Sequence, residues 1–165
     1  MKAASLNELK NELNSLKPAE LTALCMRLAK YKKENKELLT YLLFEANDEG
    51  SYIEGVKREI DTGFEGMNRS NLYFAKKSIR KVLRITNKYV KYSGSKQTEV
   101  ELLIYFCKTL IAYELPINSS TILFNLYQKQ LQRIRKALSL LHEDIQYDYK
   151  DDLESLTYMN SSKIV

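Results

Sequence analysis

An all-α fold, a single-domain multi-helix bundle or short α-superhelix of about seven helices, is what this 165-residue sequence predicts. Three observations carry that expectation. Apolar residues return at spacings of three and four along most of the chain, whereas no stretch alternates apolar and polar residues between turn signals as a half-buried strand would. Cap residues precede several of those apolar series. The five glycines and two prolines are too few to punctuate many short strands.

Ser5 and Glu8 form a capping-box pattern around Leu6, Leu9, Leu13 and Leu16, which sets a first short helix. Pro18 suits a first helical position and, with Glu20 in the same turn, opens a second helix whose expected buried face is Leu21, Leu24, Cys25 and Leu28. Leu39, Leu42 and Leu43 return in phase with that face, but Lys32 and Asn35 interrupt it. A break near Asn35 is therefore expected, with a third helix to about Ala46. Ser51 opens a fourth, with Tyr52, Ile53, Val56 and Ile60 inward, and residues 62–68, holding two glycines, read as the longest loop.

Ser70 is the expected cap of a fifth helix that runs to about Tyr92 and stops at Ser93, Gly94 and Ser95. The sixth, over about 96–114, is apolar on most sides (Val100, Leu102, Leu103, Ile104, Phe106, Leu110, Ile111) and reads as the central buried helix. Leu115 and Pro116 end it. Asn118 or Ser119 then caps a seventh, whose stripe of Leu123, Leu126, Tyr127, Leu131, Ile134, Leu138 and Leu141 lies close to heptad spacing. A small helix over 151–157 closes the chain, and no repeat of fixed length is present.

The whole chain, 1–165, fits one domain, with 143–165 as an acidic C-terminal tail. At 44% apolar and 28% charged residues it can fold without disulfides, and its two cysteines, Cys25 and Cys107, lie in apolar surroundings that suit a reducing compartment. The N-terminal segment shows no apolar signal region before Glu8, and the longest apolar run, 102–107, is far below the roughly 20 residues that span a bilayer. A cytoplasmic protein that does not enter the membrane is expected.

Charge is distributed unevenly. Residues 1–65 carry ten cations and twelve carboxylates, 66–98 nine and none, 99–142 five and three, and 143–165 two and six. The blocks give −2, +9, +2 and −4, which together make the net charge of +5. On a helical projection of about 100° per residue, Lys77, Lys81, Arg84, Lys88 and Lys91 fall within about 40° of one another's centre line, and Lys76 and Arg80 widen the face to roughly 140°. Seven like-charge pairs at three- or four-residue separation each oppose the helix by roughly 0.2–0.5 kcal/mol, or about 1.5–3.5 kcal/mol before salt screening. A bound anion would relieve that repulsion directly.

Three readings of the stripe compete. It could lie along a phosphate backbone, with Tyr73 and Tyr92 near its edges as stacking groups and Lys129, Arg133 and Lys136 of the seventh helix as a second basic line. The acidic residues Glu143, Asp144, Asp148, Asp151, Asp152 and Glu154 could fold over it. Or the long side chains simply solvate a helix face. The expected function is a non-enzymatic binding module for a polyanion, foremost nucleic acid. The alternative is a protein-interaction or scaffold module, as a homodimer through the seventh helix.

No catalytic or metal-binding set emerges, and no cofactor is expected. His142, the one histidine, has Leu138, Ser139, Ile145 and Gln146 at the helical ligand spacings and reads as a cation ending the long helix. Cys25 and Cys107 read as core residues, and Gly50, Gly55, Gly63, Gly66 and Gly94 match neither nucleotide-binding pattern.

Residues 6–30, LNELKNELNSLKPAELTALCMRLAK, resemble the leucine-rich helix-turn-helix opening of the SAP family of nucleic-acid-binding modules, without that family's glycine-containing connection. KQTEVELLIYFC and LSLLHEDIQYDY are similar to uncharacterised all-helical bacterial proteins of unknown function. Neither resemblance implies a site residue.

Overall fold

The computed structural model describes residues 2–68, 71–118 and 120–161, with side chains as far as Thr157. The described residues form α-helices and one π turn, with no strand among them, so the fold is all-α as the spacing predicts. They group into two units, Met1–Glu45 and Ala46–Val165.

The first unit holds α1 (Leu6–Ser15), α2 (Pro18–Tyr31), α3 (Lys33–Thr40) and the π turn Tyr41–Glu45. The capping box of α1 forms as the pattern requires: Glu8 N donates to Ser5 Oγ, and Ser5 N donates to Glu8 Oε2 at 2.7 Å. The break after α2 falls at Lys32, whose backbone is extended, and not at Asn35. Asn35 lies inside α3 and its Nδ2 donates to the Leu28 carbonyl at 2.9 Å, so its amide satisfies a terminal group of α2 across the break. The face expected to be buried is open: Leu21 is half-buried, while Leu24, Cys25 and Leu28 are exposed. Among the described residues of this unit Tyr41 alone is buried. Forty-odd residues in short helices are too few to enclose a core.

The second unit holds α4 (Glu49–Glu65), α5 (Leu72–Ser93), α6 (Lys96–Ala112), α7 (Thr121–Leu138), α8 (Glu143–Asp148) and α9 (Lys150–Ser161). Helix α6 is the centre, packed by α4, α5, α7 and α9. Its Val100, Leu102, Leu103, Phe106, Cys107 and Leu110 have no exposed surface. Each large apolar side chain so buried contributes roughly 1.5–3 kcal/mol.

Helix α4 runs through 62–65, where a loop is expected from the glycines. Asp48, not Ser51, is its cap and accepts from Ser51 N at 3.1 Å. Phe64 is fully buried, its ring centre 5.6 Å from that of Phe106 and 5.2 Å from that of Tyr113. Gly63 marks a close approach and not a turn, because a Cβ there would sit 2.6 Å from Val82 Cγ2 of α5. Asn71 caps α5, accepting from Tyr73 N at 2.8 Å; the expected cap, Ser70, lies outside the described residues. Gly94, at φ +67°, ends α5 in the left-handed conformation that favours glycine. Ser95 then caps α6.

Helix α7 is capped by Ser120, two residues past the expected Asn118 and one past the expected Ser119, the latter outside the described residues. Its stripe of Leu123, Tyr127, Leu131, Ile134 and Leu138 lies in the core. The Tyr127 hydroxyl donates to the Leu156 carbonyl at 2.8 Å, which fastens α9. The acidic tail is thus two helices, with Leu156 buried.

Gly63→Ala reports on the α4–α5 approach. In an open helix this change raises stability by roughly 0.5–1 kcal/mol. Against Val82 it is expected to lower stability by about 1–3 kcal/mol in urea unfolding, the cost of overpacking.

Candidate functional site

The face α5 turns inward is Ala75, Ile79, Val82, Thr86 and Val90, a single stripe at spacings of three and four. Thr86 lies there without an orphaned hydroxyl, since Oγ1 donates to the Val82 carbonyl at 3.0 Å. The cations occupy the other side. Lys77, Arg80, Lys81, Arg84 and Lys91 are exposed and Lys76 is half-buried. None of these six forms an ion pair with a carboxylate among the described residues. Lys88 is held differently: it is half-buried, with Nζ 4.8 Å from the ring centre of Tyr89 and 5.9 Å from that of Tyr92.

Tyr73, 71% exposed, and Phe74 stand at the start of the same helix with ring centres 5.4 Å apart. At about 100° per residue Tyr73 projects within about 40° of Lys77, so its ring lies in line with the charges.

The second basic line divides. Lys129 and Lys136 are exposed on α7, whereas Arg133 is used inside the unit. Its Nη2 meets Glu99 Oε1 at 2.8 Å, and its Nη1 donates to Asn87 Oδ1 at 2.6 Å and to Gln130 Oε1 at 3.3 Å. Arg133 therefore joins α7 to both α6 and α5. Asn87 borders the stripe of α5, so Arg133 touches α5 at the edge of its basic face. Spacing alone gave no sign of that connection.

The carboxylates near the core are taken up elsewhere. Glu99 receives Lys96 as well as Arg133. Burial would push its carboxyl up, but the hydrogen bonds and charges of Lys96 and Arg133 outweigh it and hold the group below the usual carboxylate value. Lys57 bridges Glu101 at 2.8 Å and Glu54 at 2.7 Å. Asp61 accepts from the Tyr105 hydroxyl at 2.7 Å; burial and that bond push the phenol up to about 12. Glu49 accepts from the hydroxyls of Ser93 and Thr98.

In the tail, Asp152 pairs with Lys108 of α6 at 2.6 Å, and Glu154 lies 4.0 Å from Lys150. Helix α9 packs on α6 and α7. Among the described residues, no carboxylate of 143–154 is ion-paired with the six cations of α5.

The remaining candidates for chemistry are placed plainly. His142 begins α8 instead of ending α7: its Nδ1 accepts from Asp144 N at 3.4 Å and lies 3.2 Å from Asp144 Oδ2. Cys107 is buried in α6, and burial pushes its thiol up to about 12, which keeps it protonated. Cys25 is exposed, against the expectation of a core position. No cluster of three or more His, Cys, Asp or Glu side chains among the described residues could hold a metal ion. No described helix is long and apolar enough to cross a membrane.

No protein-family model matches this chain, and it matches no curated protein and no solved structure.

The Glu99 node has a pH signature. Its folded pKa is lowered, so its stabilisation is present above the unfolded value of 4.5 and is lost as pH falls through the folded value. Glu99→Gln is expected to cost about 1–3 kcal/mol at pH 7. Urea midpoints of variant and parent should converge as pH is lowered.

Proposed function

We propose that the protein binds nucleic acid through its phosphate backbone, using the outer face of α5. Lys76, Lys77, Arg80, Lys81, Arg84, Lys88 and Lys91 form the face, with Lys129 and Lys136 as further cations on α7 and Arg133 of the same helix bonded to Asn87 of α5. One observation carries the reading: six of the seven cations have no ion-pair partner among the described residues, and the tail carboxylates that do pair, Asp152 with Lys108 and Glu154 with Lys150, pair away from α5.

From Lys77 to Lys91 the stripe spans about 21 Å at 1.5 Å per residue. That matches about six phosphates of one strand at 3.4 Å each. Binding would replace the repulsion among neighbouring cations with attraction to phosphates and release the counterions condensed on the strand. Lysine and arginine on a helix face contact phosphates without reading bases, so recognition by this face is independent of sequence. The ring of Tyr73, aligned with the charges, offers an unpaired base a surface to stack on, worth roughly 1–3 kcal/mol.

Fluorescence anisotropy with a labelled oligonucleotide tests this. The logarithm of affinity is expected to fall linearly with the logarithm of salt concentration, by about 0.9 per phosphate contacted on a duplex. The triple variant Lys77→Glu, Lys81→Glu, Arg84→Glu should lower affinity roughly 100-fold or more and flatten the salt slope by about three. Binding indifferent to salt, no binding at low ionic strength, or a triple variant that binds like the parent would each reject the reading.

A further inference from the structure

We propose that the Met1–Glu45 unit is a self-association module, in which α1 of one copy lies in the groove between α2 and α3 of a second copy and receives the reciprocal helix in return. The starting point is a shortage of core. A folded unit of this size with a single buried residue among those described lies near the length below which chains usually require a staple or a partner.

Both halves of an interface are present and open. Helix α1 has no buried residue, yet Leu6, Leu9 and Leu13 lie on one face about 60° wide, and Leu6 is 86% exposed. A ten-residue helix is marginal in water by itself, so a docked apolar face is what it lacks. The groove, about 300 Å³, is walled by Cys25 and Leu28 of α2 and by Leu38 and Leu39 of α3, and continues to Leu42. An amphipathic helix laid in an apolar groove is a recurrent recognition mode, read through anchors at just such spacings.

Three features favour a second copy as the occupant. Apolar residues are exposed on both halves, Leu6, Leu9 and Leu13 on α1 and Leu28 and Leu42 along the groove, so reciprocal docking covers two such pairs at once. Charge is complementary: α1 carries Glu8, Lys10 and Glu12, net −1, while 17–40, which holds α2 and α3, carries six cations and three carboxylates, net +3. The connector is also suited to exchange. Leu16 and Lys17 are both extended, which lets α1 leave α2 at once. Because each copy offers one helix and one groove, reciprocal docking closes as a two-fold dimer and does not propagate.

The inference stands without the nucleic-acid reading, and its test uses the full chain freed of nucleic acid. In sedimentation velocity the parent is expected to be a dimer that dissociates on dilution. Leu9→Glu with Leu13→Glu, and separately Leu28→Glu with Leu39→Glu, should each be monomeric. Mixed together they should associate again, since the pair retains one intact helix and one intact groove. Leu9→Ala with Leu13→Ala preserves helix propensity and should raise the dissociation constant if the glutamates unfold α1. Cys25, at the groove, gives a second readout: its thiol should react several-fold faster in the monomeric stripe variant than in the parent, with buried Cys107 silent. A parent that is monomeric at every concentration would overturn the proposal. So would a dimer that survives both variants, mixed variants that stay apart, or a protected Cys25 in a monomer, which would place the cover within one chain.

Discussion

The burial of α6 on nearly every side governs the rest of the second unit. A helix with Leu102, Leu103, Phe106 and Leu110 fully enclosed can carry charge only where a neighbour answers it. Glu99 is answered by Lys96 and Arg133, Glu101 by Lys57, and Lys108 by Asp152 of the tail. These pairs draw cations from α4 and α7 and a carboxylate from α9. None of them draws on the outer face of α5.

The charge of α5 therefore follows from packing as well as from composition. Its inward stripe is apolar and matched closely to α4, to the point that Gly63 has no room for a methyl group beside Val82. Among the described residues, Lys76, Lys77, Arg80, Lys81, Arg84 and Lys91 of its outward face have no carboxylate partner. The cost of crowding like charges along one helix is met by burial of Ile79, Val82 and Val90, and the field is left directed at solvent. Arg133, tied to Asn87 and Glu99, links α7 to α5 and α6 and is thereby withdrawn from the cations open to a ligand. A cationic surface on a rigid, packed helix is pre-organised for an extended anion, which is why nucleic acid is the ligand class proposed.

Much of the fold could be read from residue patterns because the signals were local. Ser5 with Glu8, Pro18, Gly94 and the apolar series of α6 each act within a turn or two, and each lies where the structure uses it. The errors have a common cause in tertiary context. Gly63 and Gly66 suggested a loop, yet Phe64 between them finds a pocket against Phe106 and Tyr113, and the helix continues. Leu24, Cys25 and Leu28 had the spacing of a buried face but lack enough chain around them to be covered. The basic stripe could be drawn from spacing alone, whereas the internal role of Arg133 and the place of the acidic tail depended on which helices meet. His142 was assigned to the wrong helix end because the break between α7 and α8 carries no glycine or proline.

The claim on which the functional account depends is that Lys77, Arg80, Lys81, Arg84 and Lys91 of α5 stand open to water until a ligand covers them. Lysine acetylation followed by mass spectrometry measures this residue by residue. The account predicts that Lys77, Lys81 and Lys91 of the free protein react as fast as the exposed Lys2 and Lys10 of the first unit, and slow markedly when an oligonucleotide is added. Slow reaction in the free protein, or rates that the oligonucleotide leaves unchanged, would contradict it.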